Sequence, residues 1–354
     1  MGWKPLKQLR AAVLALLLGT AVFGSTMRML SRPAIARRSR YTAHSYFRIP
    51  PQSGPSPFED PEVVSVRENK FSIVISTYDR YEHLLHSLNH YATSELPHLD
   101  AIFVAWGLGA VEPPASLDTD SYNIPVYLLE ADVNSLVERF RVPENLRTKA
   151  ALWLDDDIII SPEDVEFGFR AWQAFGRERH QIVGFSGRQH KITRNVYHYA
   201  FEGPTYSMVL TDSAFLDTTM MSWFWAEDAR IKTAITYVDE HLNCEDILMN
   251  YVVSMNNGLP PILLNAPGRL RVVKSSGIHD KADHLHERAK CILKFTELFG
   301  DVLKTTDLRI GQNKKDDRLT VNLPSEFGPE GEGWGHGRVF EKASSEEYIY
   351  REEA

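Results

Sequence analysis

Three consecutive carboxylates, Asp155, Asp156 and Asp157, follow directly on the apolar run 150–154. Neighbouring carboxylates repel one another, and a cation relieves that repulsion. Mg2+ and Mn2+ are hard ions that take carboxylate and phosphate oxygens together. Such an ion can absorb the charge of a departing diphosphate. The grouping also lets one carboxylate hold a metal while another meets ribose hydroxyls. The competing reading is an acidic capping cluster on a loop. Thr77, Tyr78, Asp79 and Arg80 follow another β-rich run and offer an aromatic face and a guanidinium fork for a base and a phosphate. The plainer reading is a strand-to-helix turn capped by Asp79. Asn134 and Arg139 carry the same two readings. Asn243-Cys244-Glu245-Asp246 opens a helical pattern, where carboxylates ordinarily answer the helix dipole; a functional acid at Asp246 would look the same. His279, His284 and His286 lack a second ligand cluster at zinc spacing.

The elements that must hold these residues read as an α/β protein. Runs 71–76, 101–106, 126–129 and 150–154 are short, apolar and β-rich. Residues 82–91 follow a helical pattern through Leu84, Leu85, Leu88 and Tyr91. Ser161 and Pro162 open another helix as N-cap and first position, with Val165, Phe169 and Trp172 inward and Gly176 at its end. Helices are also expected over 246–253 and 283–299, the latter with Leu285, Ala289, Ile292 and Phe295 on one face. Strands alternating with helices predict a mixed, mostly parallel sheet with helices on both faces. Ligands then bind beyond the carboxyl ends of the strands, where Asp155 to Asp157 lie.

With 354 residues, 43% of them hydrophobic, the chain can bury a substantial core. A net charge of -8 argues against nucleic acid as a partner. Residues 1–10 read as a basic cytosolic tail and 11–27 as a short signal-anchor helix. A cleaved signal peptide is the rival. Residues 28–69, rich in Pro and Arg, read as a stem; either reading of the N-terminus takes the remainder into the secretory lumen. No Asn-x-Ser/Thr acceptor occurs. Cys244 and Cys291 are the two cysteines. In a reducing compartment they read as unrelated thiols, in the lumen as one disulfide. A catalytic domain is expected over 70–303 and a partly disordered extension over 304–354.

Taken together, the motifs resemble glycosyltransferase family 64, the exostosin-like C-terminal domain family. The resemblance rests on residues 76–80 (Ser-Thr-Tyr-Asp-Arg), 88–91 (Leu-Asn-His-Tyr), 154–158 (Leu-Asp-Asp-Asp-Ile), Gly184 and Phe185 with Arg188 and His190, 206–210 (Tyr-Ser-Met-Val-Leu), and 243–247 (Asn-Cys-Glu-Asp-Ile) with Met249 and Asn250. It implies a GT-A fold and retaining transfer of a sugar from a nucleotide-sugar donor to a glycan or glycolipid. The implied localisation is the Golgi or endoplasmic reticulum membrane, as a single-pass type II protein. The resemblance also implies that Thr77, Arg80, Asn134, Arg139, Asp155 and Asp156 line the donor pocket, with Asp157 on Mn2+ (or Mg2+). Asp246 would sit near the anomeric carbon and Cys244 would pair with Cys291.

Two departures bear on the donor. Gly107 stands where animal members have Asn, and Lys281, assigned to the donor pocket, where they have Arg. Lysine keeps the charge and loses the bidentate fork. The expected donor is a UDP-N-acetylhexosamine, UDP-GlcNAc or UDP-GalNAc, ahead of GDP-mannose. Asp246 could act as nucleophile or stabilise a cationic transition state. The rival classes are an inactive GT-A domain serving as a lumenal partner of another transferase and a metal-free hydrolase with paired carboxylates; a homo- or heterodimer is a further expectation.

Overall fold

The computed structural model describes residues 66–107, 113, 121–131, 133–193, 196–266, 269–271, 284–312, 319–322, 339–342 and 348–351. The expected anchor, almost all of the stem and Lys281 lie outside them. Among the described residues no helix is long and apolar enough to cross a membrane.

The parallel half of the main sheet matches the alternating pattern of the sequence. β1 (Arg67–Thr77) lies between β2 (Leu99–Trp106) and β4 (Thr148–Asp155), and β3 (Val126–Glu130) pairs outside β2, all in parallel. β1 begins at Arg67, just inside the expected stem. The second half reverses direction. β10 (Ser213–Asp217) runs antiparallel to both β4 and β6 (Val183–Gly184). β11 (Ile262–Asn265) is parallel to β6 and to β13 (Arg309–Gln312), and β14 (Leu319–Asn322) closes the edge antiparallel. The order is β14-β13-β11-β6-β10-β4-β1-β2-β3. The sheet thus continues past Leu303, the expected end of the catalytic domain.

Three small sheets accompany it. β5 (Ile158–Ile160) pairs with β12 (Arg269–Arg271), and β15 (Val339–Lys342) with β16 (Tyr348–Arg351). β7 (Gly187–Thr193) lies between β8 (Val196–Phe201) and β9 (Met208–Val209).

Alternate residues of a strand point to opposite faces, and a sheet covered on both sides needs apolar residues on both. Phe71, Ile73 and Ile75 of β1 and Leu152 and Leu154 of β4 face one core. That core is covered by Leu84, Leu88 and Tyr91 of α1 (Tyr81–Thr93) and Val165 and Phe169 of α2 (Pro162–Ala171). Val74 and Trp153 face the other core. There they meet Met220 of α3 (Thr218–Phe224), Ile235 of α4 (Ala229–His241), Ile247 of α5 (Glu245–Asn257) and Ile292 of α6 (His284–Phe299). Helices therefore cover both faces.

Local signals act as the chain chemistry predicts, with two exceptions. The Ser161 hydroxyl accepts from Asp164 N at 3.2 Å and caps α2, with Pro162 first in the helix. Asp79, in contrast, does not cap α1: the N-cap residue is Arg80, and it makes no side-chain capping bond. The inward face of α6 also differs. Leu285 is 46% exposed, while Arg288, Cys291, Ile292, Phe295 and Phe299 are buried. A charged residue takes the inner position because partners wait for it there.

Candidate functional site

Strand register assembles the first part of the site. β1 and β4 run side by side and end together, with Ser76 opposite Asp155. β10 runs the other way, so the residues that enter it arrive at the same edge. Asp155 N donates to Asp212 O at 3.0 Å. Four acidic residues, Asp155, Asp156, Asp157 and Asp212, therefore meet beyond the carboxyl end of β4.

Asp156 is fully buried. Thr77 Oγ1 donates to its Oδ2 at 2.7 Å, Arg80 Nε donates to the same oxygen at 3.2 Å, and Arg80 Nη2 pairs with Oδ1. Ser87 of α1 donates to its carbonyl oxygen at 2.7 Å. The resemblance implies a direct Asp156–donor contact, whereas here the carboxylate is fully buried and committed to Thr77 and Arg80. Burial pushes the Asp156 carboxyl up to about 6, and Arg80 and Thr77 pull against that. Arg80 also reaches Asp157 Oδ2 at 3.2 Å.

Arg139 connects this cluster to the second. It sits in the 3-10 turn Leu136–Phe140, where Trp153 Nε1 donates to its carbonyl oxygen at 2.9 Å. Its Nη2 lies 2.7 Å from Asp155 Oδ1 and donates to Thr211 O at 3.2 Å. Its Nη1 lies 3.5 Å from Glu245 Oε1. Burial opposes charge on Arg139, but Asp155 and Glu245 outweigh it and raise its pKa. Burial pushes Asp155 above the usual carboxylate range; Arg139 pulls it down, while Asp212 and Asp157 add to the rise.

The second cluster stands on the first turn of α5. Leu242 and Cys244 have left-handed backbones, φ 47° and 77°. Such geometry in non-glycine residues is costly and needs support from its surroundings. Cys244 is joined to Cys291 of α6 by a disulfide. One helical turn earlier on α6, Arg288 donates through Nη2 to Asp246 Oδ2 at 2.6 Å and through Nη1 to Asn243 Oδ1 at 3.2 Å. Burial opposes charge on Arg288; Asp246 outweighs it and raises its pKa. Asp246 Oδ1 accepts from Ile247 N at 2.7 Å. Burial, then Asp246, push the Glu245 carboxyl up to about 7, against Arg139 and Arg288.

Thr77, Arg80, Arg139, Asp155, Asp156, Asp157 and Asp246 thus belong to one linked network. Asn134 is exposed on the loop before the 3-10 turn, and Lys281 is outside the described residues. Arg288 and Asp212 were not picked out by sequence reasoning. Arg288 occupies an otherwise apolar helix face, and that polar break was the available signal. A side chain at Gly107 would meet the Tyr78 ring at 3.0 Å and the Thr77 carbonyl at 3.4 Å. An Asn there could enter only by displacing Tyr78.

The site carries Asp155, Asp156, Asp157, Asp212, Glu245 and Asp246 against Arg80, Arg139 and Arg288. Carboxylates outnumber guanidiniums in a largely buried setting, which suits an added cation. Among the described residues no three His, Cys, Asp or Glu side chains converge to hold a metal unaided. The donor set fits an ion shared with a ligand's phosphate oxygens and water, as Mg2+ and Mn2+ commonly are.

An acidic strand-end site facing a carboxylate-bearing helix, on a mixed, mostly parallel α/β sheet, is an arrangement suited to transfer from an anionic donor. Residues 71–314 match the model of the glycosyl transferase family 64 domain. The chain belongs to that family. It is 31% identical over 262 residues to Exostosin-like 2 of Mus musculus, covering 69% of this chain and 77% of that protein. The human Exostosin-like 2 is 30% identical, with the same coverage. Glucosamine inositolphosphorylceramide transferase 1 of Arabidopsis thaliana is 30% identical over 246 residues, 66% of this chain and 31% of that protein.

Proposed function

We propose that this glycosyltransferase is a metal-dependent, retaining enzyme of the GT-A fold. It moves a sugar, an N-acetylhexosamine first, from a nucleotide-sugar donor to a glycan or glycolipid acceptor. The observation that carries the reading is the bridge through Arg139, which ties strand-end Asp155 to Glu245, the residue beside Asp246. Two motifs far apart in sequence thereby face one site.

Asp157 would hold Mn2+, or Mg2+, with the donor diphosphate supplying further ligands. When bound, the ion offsets the charge that develops on the leaving diphosphate. Arg80 and Thr77, set by Asp156, stand where the nucleotide half of the donor would lie, and Arg139 holds Asp155 toward the sugar. Asp246, held by Arg288, places negative charge beneath the anomeric carbon as that carbon becomes cationic. The bond from anomeric carbon to phosphate oxygen breaks. A bond from the acceptor hydroxyl oxygen forms on the same face, and the hydroxyl proton passes to the departing phosphate.

One relative is named a glucosamine inositolphosphorylceramide transferase, and that name favours an amino sugar. UDP-GlcNAc and UDP-GalNAc are therefore the first donors to test, with GDP-mannose behind them. A Golgi or endoplasmic reticulum location is what the family suggests, and a lumenal catalytic domain on a membrane anchor is what the reading of residues 1–27 adds. A thermal-shift screen of UDP- and GDP-sugars with and without Mn2+ tests the donor and metal parts of this reading. Stabilisation by a UDP-sugar only in the presence of Mn2+ is expected. No stabilisation by any nucleotide sugar would point to an inactive domain.

A further inference from the structure

The sheet β7–β9 lies outside the acidic network, yet two of its strands reach Asp246 through an intermediary: β8 through Arg288 and β9 through Asn250. Tyr199 of β8 is almost buried, and Arg288 Cζ lies 4.5 Å from the centre of its ring. The ring backs the guanidinium whose edge holds Asp246 and Asn243. A stacked guanidinium has fewer orientations to choose from, and the ring attracts its charge. On β9, Val209 N donates to Asn250 Oδ1 at 3.0 Å, and Asn250 Nδ2 donates to Val209 O at 2.8 Å. The Asn250 amide of α5 thus takes the place of a neighbouring strand. The same Nδ2 donates to Asp246 O at 2.8 Å. One small sheet therefore fixes both the helical turn that bears Asp246 and the guanidinium that holds its carboxylate.

We propose that Tyr199 and Asn250 are positioning residues for Asp246, acting through Arg288 and through the first turn of α5. The proposal rests on the reading that Asp246 faces the reacting carbon. In the full-length protein, two measurements test it. One is hydrolysis of UDP-N-acetylglucosamine with Mn2+, alongside UDP affinity. The other is amide hydrogen exchange over residues 245–250 without metal or nucleotide. Tyr199→Leu should lower turnover by about ten-fold, leave UDP affinity within about two-fold, and speed exchange over 245–250. Tyr199→Phe keeps the ring and should match the parent protein. Asn250→Asp keeps the shape but loses both N–H donations, so it should reproduce the Leu phenotype; it also serves if Tyr199→Leu does not fold. Unchanged exchange in Tyr199→Leu and Asn250→Asp overturns the proposal, as does a Phe variant as impaired as the Leu variant. Asp246→Asn run alongside separates the two levels. If it turns over normally, the role of Asp246 fails while the exchange data still judge the small sheet. If the parent protein does not hydrolyse this donor, exchange alone decides.

Discussion

Arg139 meets Asp155 at 2.7 Å from a 3-10 turn in which its own carbonyl accepts from Trp153 Nε1 at 2.9 Å. Its Nη1 reaches on toward Glu245. Removing this cation leaves two partly buried carboxylates without their partner. Arg139→Met is expected to destabilise the protein by about 1–3 kcal/mol, below the range for a fully buried pair because a third of the Asp155 side chain is exposed. Arg139→Lys should cost less stability but weaken donor binding by about ten-fold or more, because one ammonium cannot serve both carboxylates. Urea unfolding and nucleotide calorimetry measure the two effects; a Lys variant with parental affinity would reject the bridging role.

Asp157→Asn is expected to leave the fold intact and abolish Mn2+-dependent donor binding, since the amide lacks the charge that holds the ion. Calorimetry with UDP, with and without Mn2+, checks it. A folded variant whose affinity still rises with Mn2+ would remove Asp157 from the metal site.

Asp246→Asn distinguishes a reacting carboxylate from a structural one. Asn is nearly isosteric and its amide oxygen can still accept from Arg288. The buried guanidinium loses its counter-charge, so unfolding is measured alongside and only a folded variant is scored. Donor affinity should stay within a few-fold while turnover falls by about two orders of magnitude. Turnover and affinity must be read on one preparation. Near-normal turnover would leave Asp246 as a partner for Arg288 and nothing more.

Glu245 gives a pH signature with a definite sign. Burial, then Asp246, raise its carboxyl from 4.5 to about 7 in the folded protein. Between those values the folded state keeps a proton that the unfolded chain has released. The stability this contributes is complete below the unfolded value and is lost as pH rises through about 7. Glu245→Gln cannot titrate, so its stability relative to the parent should be higher at pH 8 than at pH 5. Unfolding at both pH values without metal or nucleotide provides the measurement, and the opposite trend would exclude a raised carboxyl.

The disulfide closes a sequence separation of 47 residues. Replacing both cysteines by Ser should cost about 2–4 kcal/mol. Two alkylatable thiols in protein from the secretory lumen would show that the bond does not form there.

Much of the parallel half-sheet was legible in sequence, because doubly covered strands must be apolar throughout. Runs 71–76, 101–106, 126–129 and 150–154 all lie within β1 to β4, and Asp155 stands at the end of β4 as expected. The reversed half was not legible. β6 is two residues long and β11, β13 and β14 are four each, too short to show a period. Of the candidate site, strand position and family resemblance pointed to Asp155 to Asp157, Arg80, Arg139 and Asp246, which the structure brings into one network. Arg288 and Asp212 escaped because their roles come from tertiary neighbours: Arg288 from Asp246 and Tyr199, Asp212 from the reversal of β10. The commitment of Asp156 to Thr77 and Arg80 is equally invisible until β1 and β4 are laid side by side.

The link between Cys244 and Cys291 also sets a timetable. Both its second half and the guanidinium for Asp246 come from α6, after α5 and β11 have been made. During synthesis the central strands and their aspartates emerge early, and Asp246 waits for its partners until α6 arrives and oxidation follows. The nascent chain therefore carries its central strands before the residues that hold Asp246, while β13 and β14 follow later still. A message truncated between codons 258 and 284 would still encode β1 to β4 and β10, and it would yield a chain in which Asp246 lacks Arg288 and Cys244 lacks Cys291.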